Sequence, residues 1–148
     1  MDANTIEQQA ANVILDSGVK YKVGEDTVTL RPLRFGTLLM ICERVCAAGL
    51  TEDAIKAGEN SQMQFIQDYS GVMLECVALA ELNNKQRITE DEIRKRTEFY
   101  KESLHAMQIY ELFLQVIRLS GIQSFADTIR LLLATKSTHL SPKNEEGS

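Results

Sequence analysis

Residues Ser61 to Leu82 decide the fold, and they read SQMQFIQDYSGVMLECVALAEL. Apolar side chains recur through this stretch at the three- and four-residue spacing of an α-helix. After Asp68 its only charges are those of Glu75 and Glu81. A helix that is apolar on nearly every side needs neighbours on several sides. The stretch therefore predicts the central and most buried helix of the protein.

Upstream of this helix the spacing of the apolar residues changes from helical to twofold. Val19, Tyr21 and Val23 alternate with lysines, and after the sequence GEDT the alternation resumes at Val28 and Leu30. This pattern predicts one β-hairpin at about residues 19–31, ended by the proline that follows. Because an isolated hairpin is marginally stable in water, its apolar face must lie on the helices or pair with another subunit.

Helical patterns occupy most of the remaining sequence. They predict helices over the following segments: Thr5 to Ser17, one from Phe35 that Gly49 ends, a short one from Thr51 to Ala57 that Gly58 closes, a long one from Thr89 to Leu119, and a last one from Ser124. Gly18 stands where a left-handed residue would end the first of these helices. We predict a mainly α-helical bundle of about four to five helices with one N-terminal β-hairpin. Residues 1–140 would form a single domain, and residues 141–148 would form a flexible polar tail.

Two pairs of residues have the spacing of a capping box, in which a hydroxyl and a carboxamide or carboxylate three residues later satisfy the first amides of a helix. Ser61 with Gln64 predicts the start of the central helix, and Thr89 with Glu92 predicts the start of the long helix.

The charge balance disfavours two classes of partner. Sixteen basic and twenty-one acidic residues give a net charge of -5, whereas nucleic acids and anionic membranes attract positive surfaces. The basic residues between Arg87 and Lys101 are nearly cancelled by acidic neighbours, which indicates ion pairs on a solvated helix. No stretch has the roughly 18–20 apolar residues of a membrane span, and the start has no basic signal region. We expect a cytoplasmic protein.

The sequence lacks a recognisable catalytic or metal-binding motif. Cys42 and Cys46 are four residues apart and Cys76 could join them, but His105 and His139 do not have the spacing that would complete a zinc site. We interpret the three cysteines as buried thiols in a reducing compartment and the two histidines as surface residues. The expectation is a protein that is not an enzyme and needs no metal or cofactor.

One segment, VTLRPLRFGTLLMICERV at residues 28–45, resembles the tail assembly chaperones of long-tailed bacteriophages and prophages. In that family a strand that ends in a Thr-Leu-x-Pro-Leu type segment passes through a short turn into the first main helix. Thr29, Leu30, Pro32 and Leu33 match this pattern, followed by Gly36-Thr37-Leu38. The extra N-terminal helix and the long fourth helix depart from the family's pattern.

The resemblance implies a small helical protein that binds the tape-measure protein and tail-tube subunits during tail assembly in the bacterial host cell, through apolar surface and without a cofactor. Two alternatives stay open: a structural virion subunit such as a connector or tail-completion protein, and a host-directed regulatory adaptor. In each case the partners are proteins, including further copies of the chain. The second strand and the adjoining helix start are the predicted interaction surface, formed by Val28, Thr29, Leu30, Arg31, Leu33 and Phe35, because Lys20 and Lys22 discourage pairing along the first strand.

Overall fold

A computed structural model describes the backbone of residues 18–146, and the side chains of that range except at residues 84 and 136–146. Within this range the fold is mainly helical, with six α-helices and one two-stranded antiparallel hairpin near the N-terminus. The elements are β1 (Val19–Val23), β2 (Asp26–Leu30), α1 (Phe35–Ala47), α2 (Glu52–Gly58), α3 (Gln62–Glu81), a 3-10 turn (Leu82–Asn84), α4 (Glu90–Ser103), α5 (Ala106–Ser120) and α6 (Ile122–Glu146). The predicted fold class is therefore confirmed. The predicted helix over Thr5 to Ser17 lies outside the described residues.

Helix α3 is the centre of the molecule, as its sequence predicts. It packs against α1, α2, α4, α5 and the second strand. The side chains on its inner faces, among them Met73, Cys76, Val77 and Leu79, are completely buried. Burial of such side chains contributes roughly 1.5–3 kcal/mol each, so this helix carries a large share of the hydrophobic stabilisation.

The start of α3 differs from the prediction in one detail. Ser61 is the residue that precedes the helix, but its side chain makes no capping hydrogen bond. Gln64 instead donates to the Asp68 carboxylate one turn later, at 3.0 Å. The Ser61–Gln64 capping box is thus wrong, because an i,i+4 side-chain pair on the exposed helix surface competes for the glutamine. The Thr89–Glu92 capping box is confirmed at the start of α4.

The predicted long helix from Thr89 to Leu119 is two helices, which explains why the helix count exceeds the prediction. Leu104 and His105 adopt extended backbone conformations, and the His105 backbone N–H donates to the Gln108 side chain at 2.8 Å, as at a helix start. Helices α4 and α5 both pack on α3. The chain breaks here because each helix places its own apolar side on α3, with the half-buried Leu104 held against the core between them.

The last helix also begins earlier than Ser124, at Ile122. Gly121 has a φ of +82°, and this left-handed residue separates α5 from α6. The Ser124 backbone carbonyl accepts a hydrogen bond from the Thr128 hydroxyl at 2.7 Å, inside the helix. The backbone of α6 remains helical through Glu146. Whether residues 141–148 form a flexible tail stays a prediction.

The hairpin lies with one face on the helices. Its register pairs Val19 with Leu30 and Tyr21 with Val28, so the alternating apolar residues of both strands share a face. Val23, Val28 and Leu30 are buried in the core. The turn contains only two residues, Gly24 and Glu25, rather than the four predicted, and Gly24 has the positive φ that such a tight turn needs.

Candidate protein-interaction surfaces

The connector between β2 and α1 is fixed by a buried asparagine at the end of α3. The Asn83 side-chain NH₂ group donates to the Pro32 carbonyl at 3.0 Å, and its Oδ1 accepts from the Arg34 backbone N–H at 2.9 Å. Only 3% of Asn83 is exposed. These two hydrogen bonds therefore attach the connector to the C-terminal end of α3. The connector belongs to the segment that carries the family resemblance. In the sequence Asn83 opens the polar run NNKQR at residues 83–87, which contains no pattern from which this contact could be predicted.

The outer edge of β2 is open within the described part of the chain. In a hairpin closed by two residues, the pair that flanks the turn exchanges both hydrogen bonds, and bonded pairs then alternate along the strands. Val23–Asp26 flanks the turn. The backbone N–H and C=O groups of Thr27 and Thr29 therefore point away from β1. No third strand of residues 18–146 joins the sheet there. We call these two outward-facing residues the β2 edge.

The six predicted interaction residues fall into three groups by burial. The side chains of Val28 and Leu30 are buried in the protein's own core, so only the backbone atoms of these two residues lie near the surface. Arg31 and Phe35 are exposed, and Phe35 is 73% exposed at the first position of α1. Single exposed apolar side chains are common on protein surfaces, so Phe35 alone does not identify an interface.

Thr29 and Leu33 have intermediate exposure. Thr29 belongs to the β2 edge, and Leu33 packs partly against the core within the connector that Asn83 fixes. The structure thus places an open strand edge, a fixed connector and an exposed aromatic ring one after another along residues 27–35.

A second surface, which sequence reasoning missed, is an apolar groove of about 280 Å³ between three helices. We call it the α2–α5–α6 groove. Its apolar lining consists of Ile55, Leu114, Ile117, Ile122, Phe125 and Ala126. Ile122, at the start of α6, is 67% exposed. Periodicity could not reveal the groove, because its side chains come from three helices whose relative positions the sequence pattern does not specify.

Ion pairs join the helices around the core. The Arg44 guanidinium of α1 donates to Glu75 of α3 at 2.9 Å and to Glu90 of α4 at 2.5 Å. On the other side of α3, the Arg96 side chain makes a two-pronged contact with Glu81, with N–O distances of 2.5 and 2.7 Å. Each of the two arginines therefore bridges neighbouring helices, which specifies how those helices meet.

Three of the basic residues of α4, Arg94, Lys95 and Arg96, form ion pairs with acids. Asp91 pairs with both Arg94 and Lys95 within the same helix. These neighbouring cations lower the pKa of the Asp91 carboxyl. Positive charge that is compensated in this way contributes little to a field that attracts phosphate.

Burial dominates the environment of the cysteines. Cys42 and Cys76 are completely buried, and Cys46 is partly buried; none of the three is in a disulfide. Burial raises the pKa of the Cys42 thiol to about 12 and raises that of Cys76 further. The Cys42 thiol also approaches the Phe125 carbonyl at 3.9 Å, at the contact between α1 and α6. Both thiols therefore stay protonated at neutral pH.

Among the side chains that the structure describes, no group of three or more His, Cys, Asp and Glu residues could hold a metal ion. Across the described range, none of the helices combines the length and the apolar character needed to cross a bilayer.

The fold and these surfaces define a helical domain with a docked hairpin. The chain was compared with protein-family models, with curated protein sequences and with solved structures, and none of the three comparisons gave a match.

Proposed function

We propose that this protein is a non-enzymatic, phage-type assembly chaperone that binds other proteins through the β2 edge and the start of α1. The expected partners are tail components, namely the tape-measure protein and tail-tube subunits, in the cytoplasm of a bacterial host. The proposal combines the resemblance at residues 28–45 with the position of those residues in the structure.

The open β2 edge is the observation that carries the proposal. A strand edge with unpaired N–H and C=O groups can accept an extended segment of another chain, and its backbone hydrogen bonds then supply affinity. Thr27 and Thr29 offer such groups on the side away from β1. The exposed ring of Phe35 lies a few residues further on, where it can add an apolar anchor.

The connector supports this interpretation because it holds strand and anchor in a fixed relation. Both hydrogen bonds of the Asn83 side chain go to backbone atoms between β2 and α1. A surface that is ordered before binding loses less conformational entropy when a partner arrives.

A proline at position 29 tests the proposal. Thr29→Pro removes an N–H that points away from the hairpin, so it deletes a hydrogen bond to the partner and none to β1. Thr29→Val is the matched control, since it removes the hydroxyl and keeps the amide. We expect Thr29→Pro to weaken partner binding by about tenfold, the effect of roughly 1.4 kcal/mol, while Thr29→Val binds like the wild type.

The measurement is an affinity pull-down from bacterial cells that are assembling phage, compared with the protein content of purified particles. Capture of tape-measure or tail-tube protein by the wild type and Thr29→Val but not by Thr29→Pro, with the chain absent from particles, supports the proposal. A chain that remains in the particles is a structural virion subunit. Capture of a host protein alone identifies a regulatory adaptor. Either result, or equal capture by Thr29→Pro and Thr29→Val, refutes the proposal.

A further inference from the structure

The outer face of the hairpin, on the side away from the core, carries positive charge. The register pairs Lys20 with Thr29 and Lys22 with Thr27, on the side opposite the buried apolar residues. Both lysines are exposed. Two ammonium groups therefore belong to this face, one strand away from the β2 edge.

Arg31 adds a third cation to the same face. It follows Leu30 at the end of β2, so the alternation of the strand turns its side chain to the side of Thr29. The surroundings of Gly18 agree with this placement, because a Cβ at that glycine would lie 3.0 Å from the Arg31 Cγ atom and 2.8 Å from the Thr29 Cγ2 atom. The aliphatic stem of Arg31 therefore passes over Gly18. We call Lys20, Lys22 and Arg31 the hairpin cations.

The charges of the hairpin cations are not compensated within the described part of the chain. None of the three forms an ion pair there, whereas the arginines that bridge the helices are paired with glutamates. Residues 18–34 contain four basic and two acidic residues and so carry a charge of +2, although the whole chain carries -5. The two acids, Glu25 and Asp26, lie at the turn, at the other end of β2 from Arg31. A local positive field is thus left for a partner to compensate.

A strand that pairs with the β2 edge would bring its side chains into this field. Neighbouring strands are about 4.8 Å apart, so the new strand would lie about 10 Å from β1 and directly beside Arg31. That distance is comparable with the screening length of about 8 Å at physiological ionic strength. Residues of the new strand opposite Thr27 and Thr29 would turn their side chains to the outer face, because paired residues in a sheet share a side.

We propose that the β2 edge recognises an extended protein segment with aspartate or glutamate at alternate positions. Its carboxylates lie on the outer face and compensate the hairpin cations, while its backbone bonds to Thr27 and Thr29. This inference rests on the proposed function, because a segment must pair with the β2 edge before its side chains can meet these cations. It adds the chemistry by which the edge selects its partner.

Two other occupants fit this surface less well. Symmetric pairing of the β2 edges of two copies would place two cationic faces side by side, which is unfavourable. A nucleic acid has no peptide groups to pair with a strand edge, and the net charge of -5 opposes its approach. An acidic extended segment satisfies both the backbone groups and the charge.

Selection from a library of random ten-residue peptides tests the inference on the full-length protein. The peptides to be counted are those that the wild type retains and Thr29→Pro does not, because they need the backbone of the β2 edge. We expect aspartate and glutamate to be enriched in them by about threefold at positions two residues apart, with lysine and arginine depleted. If circular dichroism shows that Thr29→Pro does not fold, Thr27→Pro takes its place, since the Thr27 N–H also points away from β1.

Removal of the hairpin cations tests their role directly. The triple variant Lys20→Gln/Lys22→Gln/Arg31→Gln keeps the backbone edge and should bind the selected acidic peptides about tenfold more weakly at low salt. Fluorescence anisotropy measures these affinities. The difference from the wild type should shrink as salt is added, because exposed charges are screened.

A matched triple variant is the control. Lys56→Gln/Arg87→Gln/Lys101→Gln removes three exposed cations outside the hairpin and changes the net charge by the same amount. It should bind the acidic peptides like the wild type. Equal weakening in the two triple variants overturns the inference, because it would mean that only the net charge of the protein matters.

The selection separates failure of this inference from failure of the proposed function. Peptides that need the β2 backbone but are not enriched in acids overturn the inference and leave the proposed function standing. If Thr29→Pro retains every peptide that the wild type retains and none of them is acidic, both fall. Acidic peptides that Thr29→Pro retains equally well also overturn the inference, because the hairpin would then attract polyanions in general, as a nucleic-acid-binding surface does.

Discussion

At the scale of single residues, the polar contacts with the largest structural consequences are those the sequence does not reveal. Asn83 is one asparagine in a run of polar residues, yet its amide joins the end of α3 to the backbone around Pro32. Thr89 and Ser61 look alike in sequence, but only Thr89 forms its capping box. Local patterns predict candidates for such contacts, whereas the competing partners of each side chain, such as Asp68 for Gln64, decide which of them form.

Asn83→Ala should lower the free energy of unfolding by about 1–3 kcal/mol, because it removes two part-buried hydrogen bonds, with the Arg34 N–H and the Pro32 carbonyl, that contribute roughly 0.5–1.5 kcal/mol each. Urea denaturation followed by circular dichroism measures this loss. Asn60→Ala, at an exposed asparagine in the turn before α3, is the control and should stay within about 0.5 kcal/mol of the wild type. Equal stabilities of the two variants would contradict the role assigned to Asn83.

At the scale of elements, most helices and both strands could be predicted because their apolar residues repeat with the period of the structure. The predicted helices starting at Phe35, Thr51 and Ser61 match α1, α2 and α3 closely. The break at Leu104 could not be predicted, since no glycine or proline lies between Thr89 and Leu119 and the apolar spacing continues across it. That break depends on where α4 and α5 meet α3, which is a tertiary effect.

The central position of α3 gives a prediction at the same scale. Val77→Asp places an unpaired charge where no side-chain surface is exposed, and should destabilise the protein by about 3–5 kcal/mol. Gln67→Asp introduces the same residue at an exposed position of the same helix and should have little effect on stability. Thermal melts measure the difference. Equal midpoints for the two variants would contradict the buried position of Val77.

At the scale of the whole molecule, the fold class followed from the sequence, whereas the α2–α5–α6 groove did not. A nearly all-apolar helix needs a bundle around it, and an isolated hairpin needs a helical face to lie on. The α2–α5–α6 groove depends on how three helices are placed around the core, and the ion pair between Glu52 of α2 and Arg130 of α6 helps to set that placement. The assignment of the β2 edge to a partner stays a prediction.

Because its thiols are buried, the whole molecule should become less stable as the pH rises into the alkaline range. The Cys42 thiol ionises near pH 9 when the chain is unfolded, but burial raises its pKa to about 12 in the folded protein. The unfolded state therefore loses this proton first. The corresponding stability is fully present below about pH 9 and is lost as the pH rises towards 12, by at most about 1.4 kcal/mol per pH unit for each such group.

Urea denaturation at pH 7, 9 and 10.5 measures this dependence. Free energies of unfolding should be similar at pH 7 and 9 and lower at pH 10.5. Cys42→Ala should fall less steeply between pH 9 and 10.5 than the wild type, because one group that ionises only in the unfolded chain is gone. A wild-type stability that rises over this interval would contradict the burial of the thiols.

The Asn83 bridge also has a consequence for the order of folding. Its two hydrogen bonds join residues that are 49 and 51 positions apart in the chain. Contacts that close loops of this length cost more entropy than the helical contacts between them, so they form late on the folding pathway. The hairpin should therefore settle onto a bundle that is already assembled, and the stability lost in Asn83→Ala should appear as faster unfolding with an almost unchanged refolding rate. The β2 edge would then take its place only after the helices have packed.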